Sequence, residues 1–182
     1  MHVDFGVPQN RERIIIIANR DNREFSFEDM KTNTVNSMMD FLDKRGRFEY
    51  LDPSEYEIIE NPKTQKSGLI FTGYRKKKLR QNGVRPNTQH LSRAHKQPNR
   101  IYSSKGVHPT ISSNETSGRY FIYHENKVRK LTINECYRFF GFPENFKKVG
   151  SKTKLYARIG NSVCVNMIEE IGNQIYKQQL LC

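Results

Sequence analysis

The chain has 182 residues, a net charge of +12 and a hydrophobic content of 35%, which suffices for one ordinary domain or for a small domain with part of another. It has no apolar run of the roughly 18 residues that a membrane span requires and no basic-then-apolar start, which excludes a transmembrane helix and a secretory signal. Three widely spaced cysteines without zinc-ligand spacing argue against a disulfide framework or a metal site and favour the cytosol: Cys136, Cys164 and Cys182.

The excess positive charge is confined to one segment. Residues 61–114 contain no Asp or Glu and hold twelve of the 31 Lys and Arg residues. The other 19 basic residues equal the 19 acidic ones in number, so the rest of the chain is neutral overall. A solvated surface normally intersperses acids with bases. The concentrated charge therefore indicates a polyanionic partner such as nucleic acid.

Two elements are predicted before this segment. Residues 13–18 form an Arg–Ile–Ile–Ile–Ile–Ala run, which is typical of a strand buried on both faces of a helix-covered sheet. No partner strand precedes it, so we expect it to complete a sheet whose other strands lie outside this chain. Residues 34–42 place apolar side chains at helical spacing and predict a short amphipathic helix with Val35, Met38, Met39 and Leu42 on one face.

The basic segment itself shows little helical periodicity. Its pattern predicts one strand at residues 68–74 and another at 117–123, with glycine- and proline-punctuated loops between them. Tyrosines and histidines are interleaved with the basic residues, an arrangement suited to contacts with phosphates and base edges. The flanking strands favour a folded module over a disordered one.

Helical signals return near the end of the chain. Thr132 and Glu135 have capping-box spacing, and Gly141 with Pro143 ends the predicted helix; its apolar face, which includes Cys136, is expected to be core. A last helix is predicted to open at residues 160–162, with Asn161 or Ser162 as its N-cap. Its backbone N–H groups would suit a carboxylate or phosphate.

Three blocks together resemble the eighth, ninth and tenth conserved motifs of DNA cytosine-5 methyltransferases. Residues 5–13 match the pattern G-x-P-Q-x-R-x-R, and residues 129–143 match R-x-L-T-x-x-E-x-x-R-x-x-G-[FY]-P. Residues 160–163 match G-N-[SA]-V, and residues 106–111 resemble the Pro-Thr-[LIV] element of the recognition module. The long variable stretch between the first two blocks lies where this family has its target-recognition domain, which is also the basic segment.

The resemblance implies a chemistry of which this chain holds only part. In the family, a cysteine thiolate attacks C6 of a flipped-out cytosine, and C5 then takes the methyl group of S-adenosylmethionine. The Pro-Cys block, the Glu-Asn-Val block and the glycine-containing cofactor loop are all missing from this sequence. We therefore expect the chain alone to be inactive.

The resemblance also assigns roles to individual residues. Arg13 is expected to hydrogen-bond O2 of the flipped base, Arg11 to orient a neighbouring carboxylate or a phosphate, and Gln9 to organise the loop. The cofactor side is expected at Asn161, Ser162 and Val163. Arg138 is a candidate structural residue that ties its helix to the recognition module. The DNA-interface candidates are Arg75, Lys76, Lys77, Arg80, Arg85, Arg93, Arg100, His108 and Thr110.

These observations predict an α/β fold that combines the C-terminal remnant of a doubly wound, Rossmann-like methyltransferase sheet with a small, irregular, strand-rich recognition domain. Residues 1–60 and 129–182 are assigned to the catalytic domain and 61–128 to the recognition domain. The leading hypothesis is a split enzyme in the prokaryotic cytosol, acting on double-stranded DNA with a second polypeptide that carries the nucleophile. A fragment of a disrupted gene or a piece of a longer enzyme is a close variant.

Two rival functions stay open at this point. One is a stand-alone, sequence-specific DNA-binding module without catalysis. The other, a basic RNA-binding protein, is disfavoured because the aromatic strand signature and the GXXG loop of the usual RNA-binding modules are missing.

Overall fold

The structure is a computed structural model that describes residues 4–20, 23–76, 87–113 and 121–178. The described ranges contain seven short strands: β1 (Gln9–Asn10), β2 (Tyr56–Ile58), β3 (Phe71–Arg75), β4 (Arg100–Ser103), β5 (His108–Pro109), β6 (Phe121–His124) and β7 (Lys127–Lys130). They also contain three α-helices: α1 (Ile133–Arg138), α2 (Lys152–Gly160) and α3 (Val165–Lys177). This mixed α/β architecture agrees with the predicted fold class.

Five of the strands form one sheet in the order β2-β3-β4-β6-β7. All neighbours are antiparallel except β4 and β6, which are parallel, with Tyr102 opposite Ile122. β3 and β6 confirm the strands predicted at 68–74 and 117–123, although residues 117–120 lie outside the described ranges. A separate short parallel pair joins β1 to β5. The beginning of the chain is thereby bound to the end of the basic segment.

Two hydrophobic clusters hold the elements together. The larger cluster packs α1 and α2 against the sheet and includes the fully buried Ile122, Leu131, Phe139 and Phe140. The smaller cluster joins the two ends of the chain, because residues 5–17 pack on α3 through Val7, Met167 and Ile171. Gln9 and Arg11 follow Val7 of the smaller cluster and bind Ile111 and Phe139 of the larger one.

The capping box that opens α1 is confirmed. The Thr132 hydroxyl accepts a bond from the backbone N–H of Glu135, and the Glu135 carboxylate accepts one from the N–H of Thr132. Gly141 follows with a φ of +80°, a left-handed conformation that glycine adopts without strain. Cys136 is fully buried, as predicted for the apolar face.

The strand predicted at residues 13–18 is not formed. The segment has no ladder partner in the described ranges. Ile15 and Ile17 pack towards α3, whereas Ile14 and Ile16 are 90% and 86% exposed. A strand needs hydrogen-bonded neighbours. Exposure thus alternates along the isoleucine run, so that Ile15 and Ile17 are covered while Ile14 and Ile16 are open to solvent.

The helix predicted at residues 34–42 is also wrong, since only a 3-10 turn at Met39–Phe41 forms there. The backbone N–H of Met38 donates instead to the carbonyls of Ser104 and Gly106, at 3.1 and 3.0 Å. These long-range bonds remove the segment from the helical ladder and join it to the turn that follows β4 in the five-stranded sheet. Met38 is fully buried.

The last helix begins later than predicted. α3 starts at Val165, and its N-cap Cys164 makes no side-chain capping bond. Gly160 and Asn161 instead end α2, a helix that the sequence pattern did not reveal. The expectation that Asn161 or Ser162 caps the last helix is therefore wrong.

No helix in the described ranges combines the length and the hydropathy needed to cross a membrane. In the same ranges, no group of three or more His, Cys, Asp or Glu side chains is arranged to hold a metal ion.

Candidate functional site

Arg11 joins three parts of the chain that are distant in sequence. Its side chain is 5% exposed, and its Nη1 donates to the carbonyl of Ile111 at 3.0 Å. Nη2 donates to the carbonyls of Gly160 and Ser162, both at 3.1 Å. The guanidinium also lies over the ring of Phe140, 5.2 Å from its centroid. One side chain thus connects the three blocks singled out in the sequence with the end of the basic segment.

The surroundings of Arg11 lower the pKa of its guanidinium. Burial and the neighbouring charge of Arg13 lower its pKa to about 10, so it remains a cation near neutral pH. Its hydrogen bonds are to backbone carbonyls, where the family resemblance implied a carboxylate or a phosphate. Within the described ranges, its Nε has no hydrogen-bond partner. In this conformation Arg11 therefore orients main chain.

Gln9 fixes the same loop from the other side. Its buried amide accepts from the N–H of Ile111 and donates to the carbonyl of Phe139, both at 3.3 Å. Next to it, the Thr110 hydroxyl donates to the carbonyl of Asn10 at 3.0 Å. Gln9 and Thr110 thus bind the loop of residues 8–11 to the end of the basic segment and to the end of α1.

Arg13 differs from Arg11 in its exposure. Its side chain is exposed, and its hydrogen bond in the described ranges goes to the adjacent carbonyl of Glu12. It lies close enough to Arg11 to depress the pKa of that group. Arg13 is therefore an exposed guanidinium beside the loop of Arg11, and one of its N–H groups is engaged by the Glu12 carbonyl.

The turn after α2 lies directly beside this loop. Asn161 is exposed and Val163 is 47% exposed, whereas the carbonyl of Ser162 is occupied by Arg11. A Cβ on Gly160 would lie 2.2 Å from the backbone of Ser112 and Ser113, so only glycine permits this approach. The turn presents two side chains outward and forms one wall of a potential binding site.

Replacing Gly160 with Ala is therefore expected to reduce the free energy of unfolding by about 1–3 kcal/mol, because backbone atoms have to move apart. Gly172 provides a matched control within α3, since nothing lies within 4 Å of its added Cβ. Gly172→Ala should raise stability by about 0.5–1 kcal/mol through helix propensity. Urea denaturation of both variants measures the difference, and equal changes would refute the close approach.

The described DNA-interface candidates differ in exposure. Lys76 and Arg93 are exposed, and Arg75 is partly buried over the ring of Phe121 at 4.9 Å. His108 is fully buried, which leaves its side chain no surface to offer a nucleic acid, so it is not retained. Lys77, Arg80 and Arg85 lie outside the described residues.

Arg100 and Thr110 line a cavity of about 190 Å³ between β1 and the five-stranded sheet. The Nε of Arg100 donates to the carbonyl of His95 at 2.9 Å, which fixes the direction of the guanidinium. Asn10 and Gln97 share the cavity and were not predicted. Neutral amides add nothing to a charge count, so the sequence carried no signal for them.

The two described cysteines are unsuited to act as nucleophiles. Cys136 is completely buried, and burial raises its pKa well above the usual range. Burial also raises the pKa of Cys164. Because the thiolate is the reactive form of cysteine, both are structural residues. Cys182 lies outside the described residues.

Comparison with known proteins gives a consistent pattern. A family model of C-5 cytosine-specific DNA methylase matches residues 2–177. The chain is 32% identical to type II methyltransferase M.Bsp6I of Bacillus sp. (strain RFL6), over 97% of this chain and 53% of that relative. It is 30% identical to M.HhaI of Haemophilus parahaemolyticus, over 95% and 50% respectively. For M.NgoPII of Neisseria gonorrhoeae the identity is 28%, over 96% and 52%. The chain thus spans about half the length of these curated relatives.

Proposed function

Because the chain belongs to the C-5 cytosine-specific DNA methylase family, we propose that it supplies the DNA-recognition and base-stabilising part of a restriction–modification cytosine methyltransferase. In this proposal residues 61–128 recognise DNA, and residues 1–60 and 129–182 return to the catalytic domain. The enzyme acts on double-stranded DNA in the bacterial cytoplasm. A segment outside this chain, on a second polypeptide in the leading form of the proposal, carries the nucleophile.

The observation that carries the proposal is the contrast between Arg11 and Arg13. Arg11 is fixed by three carbonyls, while Arg13, two residues further on, is exposed. Attack at C6 of cytosine places negative charge on the pyrimidine. A guanidinium fixed near O2 stabilises the charge that develops in the transition state. The geometry is suited to Arg13 in that role.

The turn at Asn161–Val163 is suited to bordering the cofactor. Members of this family use S-adenosylmethionine, which supplies the methyl group when bound. The exposed Asn161 amide offers hydrogen bonds and the Val163 side chain offers an apolar contact. These residues fit one wall of such a site, and the glycine-containing loop that would form the rest is missing from this sequence.

The open face of residues 13–18 supports the need for a further segment. Ile14 and Ile16 are almost completely exposed, and exposed apolar β-branched runs are normally covered by neighbouring elements. No cysteine in this chain follows a proline. In the proposed enzyme, the further segment brings both the nucleophile and the strands that cover these side chains.

The purified chain alone is expected to transfer no methyl group to DNA. Activity should appear when a polypeptide with the Pro-Cys and Glu-Asn-Val blocks, sought in the adjacent upstream reading frame, is added. Transfer of labelled methyl groups from S-adenosylmethionine to duplex DNA measures this. The double variant Ile14→Asp/Ile16→Asp should fail to reconstitute activity, whereas Ile14→Val/Ile16→Val should succeed.

Each other outcome has a defined meaning. Robust methyl transfer by the lone chain would refute the division of labour. Sequence-specific DNA binding without methyl transfer in any mixture would favour a stand-alone binding module. Equal reconstitution by both isoleucine variants would show that the open face is not the docking surface.

A further inference from the structure

A second group of basic residues lies outside the 61–114 segment. Neither residues 44–48 nor residues 145–154 contain an acidic residue. These two stretches, a loop and a loop that continues into the first residues of α2, are called here the two loops, and together they form the second basic surface. Its members are Lys44, Arg45, Arg47, Lys147, Lys148, Lys152 and Lys154, and all except Lys148 are classed as exposed. The net charge of the sequence outside residues 61–114 does not reveal this surface, because acidic residues elsewhere cancel its charge.

The fold brings the two loops together. Lys152 of α2 contacts the Glu49 carboxylate, and Lys130 at the end of β7 lies 4.0 Å from the same carboxylate. Arg47, Lys130 and Lys152 line one cavity of about 170 Å³, in which Glu49 is the single acidic side chain among the lining residues. Three cations facing one carboxylate leave a local excess of positive charge.

The acidic residues that flank the two loops do not cancel this excess. Asp43 precedes the first loop and Glu144 precedes the second. Both carboxylates pair with Arg138, which lies 2.9 Å from Asp43 and also contacts Glu144. The Arg138 pairing lowers the pKa of Glu144. Both acids are therefore engaged away from the exposed lysines and arginines.

We propose that the second basic surface binds backbone phosphates of the duplex DNA that flanks the target. The inference rests on the proposed function, because it assumes that the recognition module holds DNA. Phosphate contacts of this kind position a protein without reading sequence. A charge spread over two exposed loops suits an extended polyanion better than a single small anion.

The position of the surface in the sheet agrees with one continuous ligand. β7 forms one edge of the sheet, two strands from β4 with Arg100 and three from β3 with Arg75. At about 4.8 Å between strands, these separations are about 10 and 14 Å. Such distances correspond to about three to four base pairs of duplex. We therefore expect one duplex of this length or more to reach from the recognition segment to the edge of the sheet beside the second basic surface.

The test is the salt dependence of binding of a fluorescent duplex of about 24 base pairs to the full chain. Arg45→Gln/Arg47→Gln should reduce the slope of log affinity against log salt by about 0.9 for each lost phosphate contact. The control is Lys31→Gln/Lys177→Gln, which removes the same charge from two exposed residues in or beside α3. This variant should leave the slope unchanged. Lys76→Gln/Arg93→Gln tests the recognition segment separately.

The outcomes distinguish the inference from the proposed function. A reduced slope only in the recognition-segment variant would overturn the inference and leave DNA recognition intact. Failure of the wild-type chain and of every variant to bind duplex would contradict both. Inorganic phosphate is added to the wild-type chain at constant ionic strength as a further test. If it lowers the DNA affinity to that of Arg45→Gln/Arg47→Gln, the surface is a site for small anions and the inference is overturned.

Discussion

Replacing Glu135 with Gln is expected to lower the free energy of unfolding by about 3–5 kcal/mol, because a buried guanidinium loses its counter-ion. Arg129 and Glu135 are 2% and 0% exposed and form a bidentate pair at 2.9 and 2.7 Å. The Glu135 carboxylate also accepts from the backbone N–H groups of Thr132 and Asp43. The neutral amide cannot compensate the charge of Arg129.

Urea denaturation of the purified chain measures this loss. Glu49→Gln is the control, because Glu49 pairs with Lys152 and Lys130 at the surface, where ion pairs contribute about 0–1 kcal/mol. The double variant Arg129→Met/Glu135→Met should recover part of the stability lost in Glu135→Gln. The unpaired charge is removed as well, but the N–H groups of Thr132 and Asp43 lose their acceptor. Similar losses for Glu135→Gln and Glu49→Gln would contradict the assignment of a buried pair.

The ion pair also matters to the candidate site. It joins β7 to α1, and α1 leads into Phe139, whose carbonyl accepts the amide of Gln9. Phe140 follows and lies under the guanidinium of Arg11. A weakened pair would therefore loosen the support of the loop that presents Arg13. Stability and site geometry depend here on the same contacts.

Local rules explain what the sequence predicted correctly. The capping box of α1 involves residues three positions apart, so Thr132 and Glu135 are recognisable without knowledge of the fold. The strand β3 was predictable from its residue composition, without knowledge of the strands that pair with it. The three motif blocks predict a common site by resemblance, and the bonds of Arg11 to Gly160 and Ser162 confirm that two of them meet.

Long-range bonds explain what the sequence predicted wrongly. The apolar spacing at residues 34–42 fits a helix, but Ser104 and Gly106 accept the backbone N–H of Met38. No local pattern encodes that choice. α2 was missed because its buried residues, Leu155, Tyr156 and Ile159, occur in a lysine-rich stretch whose stripe is short. The carbonyl ligands of Arg11 were also beyond prediction, since backbone acceptors have no sequence signature.

Arg13→Ala is expected to lower kcat of the reconstituted enzyme by about 100- to 1000-fold, the usual cost of removing a donor that stabilises transition-state charge. The stability of the chain should change by no more than about 0.5 kcal/mol, because the side chain is exposed. DNA affinity should change much less than turnover, since the interaction grows as charge develops on the base. Steady-state kinetics, duplex binding and urea denaturation of the same preparation test the three statements.

Arg11→Ala is the matched comparison and should behave in the opposite way. The substitution would leave three carbonyls at a buried junction without their charged donor. The free energy of unfolding should therefore fall by about 3–5 kcal/mol. If Arg13→Ala lowered DNA affinity as much as turnover, Arg13 would be an ordinary phosphate contact. If both variants unfolded equally early, the division between a structural and a base-facing arginine would be wrong. The two arginines differ because Arg11 is bound by three carbonyls, whereas Arg13 is bound, in the described residues, by the adjacent carbonyl of Glu12. Here Arg11 enters the junction of the chain's three blocks, and Arg13 extends past it into open space.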